Sequence, residues 1–137
     1  MRLSRKSDYA LRAVRYLANL PTGKLGSINT VSEAESIPRE FLAKILKDLT
    51  MGGILVSYQG VTGGYRLARP PREVTFLDVI EVINGPIHLS LYTEEKRSSA
   101  KPHDEYDMCN FWENLEQQFK KALGKQHFAK YRRKARK

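Results

Sequence analysis

A mainly α-helical fold carrying one small β-hairpin is what this 137-residue sequence predicts. Three observations predict it. Apolar residues recur at helical spacing through the first fifty or so positions. Two short apolar runs, ILVSYQ and YRLA, flank a connection that holds Gly60, Gly63 and Gly64, which is a hairpin signal. Near the C-terminus Met108, Trp112, Leu115, Phe119 and Ala122 repeat at spacings of four, three, four and three, the pattern of one more helix. The length fits one domain, or one domain with an appendage, and excludes a large multi-domain enzyme.

The first helix is expected from Ser7, a natural N-cap, with Tyr9, Ala10, Ala13, Val14, Leu17 and Leu20 inward and Arg12, Arg15 and Asn19 outside. After the loop PTGKLGS, Ser27 caps a shorter helix that turns Ile28, Val31 and Ala34 inward. Pro38 sits at a natural first position of the third helix, which spans 38–51 and repeats Phe41, Leu42, Ile45, Leu46 and Leu49 as its buried stripe. Gly52 and Gly53 end it. Beyond the hairpin, Thr75 and Asp78 form a capping box for a fourth helix carrying Phe76, Val79, Ile80 and Ile83, stopped by Asn84, Gly85 and Pro86. The stretch LYTEEKRSSAKPHDEYD has no period and reads as a surface loop.

The formal net charge is +9, and its distribution says more than its sum. Residues 1–72 hold 12 Lys/Arg against 5 Asp/Glu, residues 73–119 hold 3 against 10, and residues 120–137 hold 9 against none. One face of such a molecule meets a polyanion while the acidic middle stays away from it. The tail KQHFAKYRRKARK reads equally as a non-specific polyanion contact and as a solvated end. No apolar run approaches a membrane span and the charged N-terminus does not fit a signal peptide, so a cytoplasmic protein is expected. A single cysteine, Cys109, fits a reducing compartment. No nucleophile elbow, zinc-protease helix or Walker lysine is present, and the glycines of GVTGGY lack the lysine and following helix of a phosphate loop. Catalysis is not expected.

Three helices followed by a hairpin, all within the basic part of the chain, is the order of a winged helix-turn-helix module, in which the third helix enters the major groove. With the apolar stripe turned inward, Arg39, Glu40, Ala43, Lys44, Lys47 and Asp48 are left outside. The same pattern describes a solvated helix face; the adjacent wing favours recognition. The candidate DNA contacts are Pro38, Arg39, Glu40, Phe41, Lys44 and Lys47 on the helix, with Ser57, Tyr58, Gln59, Gly60 and Thr62 on the wing, residues 57–65.

Three stretches together, MRLSRKSDYALRA, SIPREFLAKILKDLTMGGIL and SYQGVTGGYRLARPPREVTFLDVIEVINGPI, resemble the Rrf2 family of bacterial transcription regulators over most of the chain. The resemblance implies a winged helix-turn-helix domain at 1–85, a loop at 86–105 that is the sensor region in relatives, a dimerisation helix at 106–124 and a basic tail at 125–137. It implies a homodimer, paired through the seam from Met108 to Ala122, that binds a palindromic operator and most often represses. Many relatives hold an iron–sulfur cluster through three loop cysteines. Here the expected first cysteine is Tyr92 and only Cys109 stands near the dimer helix, so no cofactor is expected. Asp8, His88, His103 and Cys109 are the candidates for a mixed cluster site, against a reading as ordinary surface residues and a structural cysteine. Cys109 is also a candidate redox switch. Without a cluster, the signal is a small molecule or a partner protein. At the wing tip Gln59 stands where the family commonly has arginine, which leaves open a second reading, an interaction or scaffold protein with weak DNA binding.

Overall fold

The computed structural model describes residues 3–90, 93 and 107–131. Helix α1 runs from Arg5 to Ala18, α2 from Ile28 to Glu35 and α3 from Arg39 to Met51. Strands β1, Leu55–Tyr58, and β2, Gly64–Leu67, form an antiparallel hairpin in which Leu55 faces Leu67 and Tyr58 faces Gly64. Helices α4, Phe76–Asn84, and α5, Asp107–Gly124, complete the described elements, with short 3-10 turns at Pro71–Glu73 and Phe128–Lys130.

Helix α1 begins three residues before the expected cap. Ser4 accepts from the Ser7 amide and is the N-cap, while Ser7 is buried and its hydroxyl accepts from Asn84 Nδ2 at 2.5 Å. Two serines three apart can both cap; the one whose side chain also fits against α4 goes inside. The buried stripe is Ala10, Ala13, Val14 and Leu17, small residues that let α4 and α3 approach closely. Tyr9 and Leu20 are only partly buried.

Helix α2 is capped by Ser27, which accepts from the Thr30 amide at 3.2 Å. Its inward residues are Val31 and Glu35; Ala34, expected inside, is exposed. The buried acid is compensated from α1: Arg12 donates to the Glu35 carbonyl oxygen, and Arg15 Nη2 lies 3.5 Å from Glu35 Oε1. A carboxylate removed from water needs such partners, so the pairing sets how α2 sits on α1. A hydrophobicity pattern cannot foresee an acid that takes the place of an alanine.

Helix α3 buries Leu42, Ile45, Leu46 and Leu49 completely. Phe41 departs from the expected stripe: it is 53% exposed and meets Tyr9 edge-on, with ring centroids 6.4 Å apart. It sits in the first turn, where the core beneath the helix ends. Pro38 immediately precedes the helix, and its carbonyl oxygen accepts from the Leu42 amide at 3.0 Å. The Thr75–Asp78 capping box of α4 forms in both directions, at 3.0 and 3.1 Å.

The chain after α5 packs back onto the core. The Gln126 carbonyl oxygen accepts from the Phe76 amide at 2.9 Å, and the Phe128 amide donates to the Val74 carbonyl oxygen at 3.2 Å. Phe128 is 1% exposed and its ring lies 5.0 Å from that of Phe76. Residues 126–131 are therefore part of the folded body, which removes these positions from the solvated end that is one of the two readings of the tail. Their two apolar rings outweigh the basic composition around them.

Candidate nucleic-acid interface

The surface of α3 divides cleanly by chemistry. Opposite the buried leucines and isoleucine, Arg39, Glu40, Ala43, Lys44 and Lys47 are exposed. Asp48 is claimed by α1, with Lys6 Nζ 2.7 Å from its Oδ2. The remaining face carries three cations against Glu40, and none of those three has an ion-pair partner among the described residues. Cations on an exposed helix with no internal acid to answer them suit phosphate oxygens and the acceptor edge of guanine.

The hairpin follows α3 through a tight connection in which the Ile54 amide donates to the Leu49 carbonyl oxygen at 2.9 Å and the Ile54 carbonyl oxygen accepts from Ala68 at 2.9 Å. Its inner edge is fastened further. Gly26 and Tyr65 exchange two backbone hydrogen bonds of 2.9 Å, so the segment before α2 adds a one-residue third strand to β2. The tip projects: Ser57, Tyr58, Gln59, Gly60, Val61 and Thr62 are all exposed. A side chain at Gly63 would bring Cβ within 2.2 Å of the Tyr58 carbonyl oxygen, so this turn closes only with glycine there. The glycines thus build a narrow projecting tip, with no following helix to bind a phosphate.

The same hairpin holds a pair that sequence reasoning missed. Tyr58 and Arg66 lie diagonally on its outer face, and Arg66 donates from Nε and Nη2 to the Tyr58 hydroxyl at 3.2 and 2.6 Å. The diagonal offset between paired strands is the only sequence signal for it.

Helix α5 presents the opposite division. Met108, Phe111, Leu115, Phe119 and Ala122 are exposed, Trp112 is half-buried, and the inward positions are Cys109 and Glu116. Phe111, absent from the expected seam, is the most exposed of the aromatic rings there. Glu116 holds the chain after α4: its Oε1 accepts from the Leu89 amide at 3.0 Å and lies 3.5 Å from His88 Nδ1. Burial alone pushes this carboxyl up. Hydrogen bonds from Thr93 and the Leu89 amide, with the charges of Lys120 and His88, outweigh that and hold it below its ordinary value.

The cluster candidates are not brought together. Asp8 is exposed and lies 3.7 Å from Arg12, His88 faces Glu116, and Cys109 is buried on α5. His103 and Tyr92 fall outside the described residues. No group of three His, Cys, Asp or Glu among the described residues could hold a metal ion. An iron–sulfur centre draws four ligands, mostly thiolates, and this sequence supplies one cysteine, so the residues do not fit such a group. No described helix is long and apolar enough to cross a membrane.

A Mycobacterium tuberculosis protein described as an HTH-type transcriptional regulator is 39% identical over 87 residues, 64% of this chain and 54% of that protein. The chain thus matches about half the length of that relative. A Synechocystis protein of the same description is 30% identical over 123 residues, covering 90% of this chain and 82% of that one. The structure of CymR, the global cysteine regulator of B. subtilis, superposes with a TM-score of 0.76 at 21% identity, over 96% of this chain and 95% of that chain; this likeness speaks to the winged-helix fold. The family model described as Rrf2, iron-dependent transcriptional regulator, matches residues 3–132. A winged helix with a cationic third helix, a glycine-closed wing and this match across nearly the whole chain make the protein a member of the Rrf2 family of transcriptional regulators, and not an enzyme.

Proposed function

We propose that the protein acts as a homodimer on a palindromic operator, as a repressor. Each protomer lays α3 in a major groove through Pro38, Arg39, Glu40, Phe41, Lys44 and Lys47. The wing reaches the flanking backbone or minor groove through Ser57, Tyr58, Gln59, Gly60 and Thr62. Met108, Trp112, Leu115, Phe119 and Ala122 form the pairing surface. The observation that carries this reading is the contrast between two helices, with the charged row Arg39, Lys44 and Lys47 exposed on α3 and the apolar row Met108, Phe111, Leu115 and Phe119 exposed on α5. A regulator of this kind works where the DNA is, in the cytoplasm. Its signal is a small molecule or a partner protein, since the donor set does not suit a cluster.

A hydroxyl-radical footprint on the DNA upstream of its own coding region tests the reading. Two protected patches related by symmetry, one helical turn of about 34–36 Å or a multiple apart, are expected. Weak protection without sequence preference would replace it with the interaction-protein reading, which the uncharged Gln59 at the wing tip favours.

A further inference from the structure

Two groups of cations stand apart in the winged-helix part of the chain. Lys6 is paired with Asp48, Arg12 and Arg15 with Glu35, and Arg69 with Asp78 at 3.5 Å. Those charges are spent within the fold. Arg39, Lys44 and Lys47 have no such partner among the described residues, and no hydrogen bond among those residues holds their long side chains.

Arg66 belongs to neither group. Its guanidinium is fixed at three points, twice to the Tyr58 hydroxyl and once, from Nη1, to the Leu67 carbonyl oxygen at 3.2 Å. Every one of these acceptors is neutral. The side chain is therefore held in one place while its charge is left unanswered, and each terminal nitrogen keeps an N–H for an outside acceptor. Ordering a long side chain ahead of contact removes an entropic cost from binding, and a planar fork matches phosphate oxygens. Tyr58 can reach its partner because its cross-strand neighbour is Gly64, which has no side chain to intervene. Arg66 also lines a cleft of about 470 Å³ between β2 and the loop after α1, with Lys24 on the opposite wall. Lys24 is exposed and has no ion pair among the described residues. The tip itself, with Ser57, Gln59, Val61 and Thr62, carries no charge.

From this we infer that Arg66, positioned by Tyr58, is the wing's contact to a DNA phosphate, so that the wing binds the backbone by charge and leaves sequence reading to α3. The inference rests on the DNA-binding reading above and assigns the wing's part in it. A phosphate contact adds to affinity on any sequence and steepens its dependence on salt; a base contact changes preference between sequences.

The test measures affinity against salt concentration for the full chain, on the footprinted duplex and on a mixed-sequence duplex of equal length. For Arg66→Gln, the slope of log affinity against log salt falls by about one on both duplexes. The ratio of affinities between them stays as in the unmutated protein. Arg66→Lys, which keeps the charge, restores the slope, and this recovery separates loss of charge from damage to the hairpin. An unchanged slope in Arg66→Gln, in a protein that otherwise binds with a clear salt dependence, overturns the inference alone. A changed ratio with the slope kept makes Arg66 a base reader and overturns it too. If the unmutated protein shows no salt-dependent binding to either duplex, the DNA-binding reading falls as well.

Discussion

Helices α3 and α5 are both amphipathic, and they spend their apolar faces in opposite ways. On α3, Leu42, Ile45, Leu46 and Leu49 have no exposed surface at all, and Arg39, Glu40, Lys44 and Lys47 face solvent, with Phe41 and Met51 exposed at its two ends. On α5, Met108, Phe111, Leu115 and Phe119 face solvent, while the inward side holds Cys109 and Glu116. One helix is complete within a single chain. We propose that the other is finished by a second surface, since contiguous exposed apolar side chains of this size mark an interaction site. On the proposed function the two ends of the molecule divide the work, recognition falling to α3 and assembly to α5.

The largest effect should come from breaking the complete side. Leu46→Ala leaves a cavity beneath α3 and should cost about 2–5 kcal/mol of folding stability in denaturant unfolding. The equivalent change on the other helix should behave differently. Phe119→Glu should lower the unfolding midpoint of the isolated chain much less than Leu46→Ala does, because its ring is already 40% exposed. It should instead weaken self-association by about 2–4 kcal/mol, the cost of a buried interface anchor, as read by sedimentation over a concentration series.

Two further substitutions probe the exposed face of α3. Arg39→Ala and Lys44→Ala should each weaken operator binding, by about 1–3 kcal/mol where the side chain meets a base, with thermal unfolding unaltered. Unaltered affinity in both would show that the recognition face is elsewhere on the domain.

How much of this division was legible in the sequence follows from what kind of contact each part rests on. Leu42, Ile45, Leu46 and Leu49 of the α3 stripe, the Thr75–Asp78 capping box and the glycine-closed tip are local, set by residues a few positions apart, and the structure has them as the sequence predicts. Phe41 was misplaced because periodicity does not say where the core beneath a helix ends. The choice of Ser4 over Ser7 depends on Asn84, far away in the sequence. Burial of Glu35 depends on two arginines of α1. The docking of residues 126–131 depends on backbone groups at 74–76. Long-range polar contacts of this kind leave no spacing to find. In the candidate site, the residues of α3 and the wing tip were legible as exposed positions, whereas Arg66 required the register of the hairpin to bring it to Tyr58.

The smallest effect lies at the inward side of α5. Glu116 has a folded-state pKa below its ordinary value of 4.5. The stabilisation it lends to the segment around Leu89 is fully present above that value and is lost as pH falls through the lower, folded one. Protection of the Leu89 amide, its exchange measured against the free-peptide rate at the same pH, should therefore fall in acid. Glu116→Gln should speed that exchange at neutral pH, by about 1 kcal/mol of local stability, and remove the acid dependence.

The central claim is that α5 is finished by a second copy of the chain. Sedimentation equilibrium of the protein without DNA tests it most directly. The account predicts a mass twice that of one chain at micromolar concentration, falling to one chain for Phe119→Glu. A single-chain mass for the unmutated protein under the same conditions would contradict it.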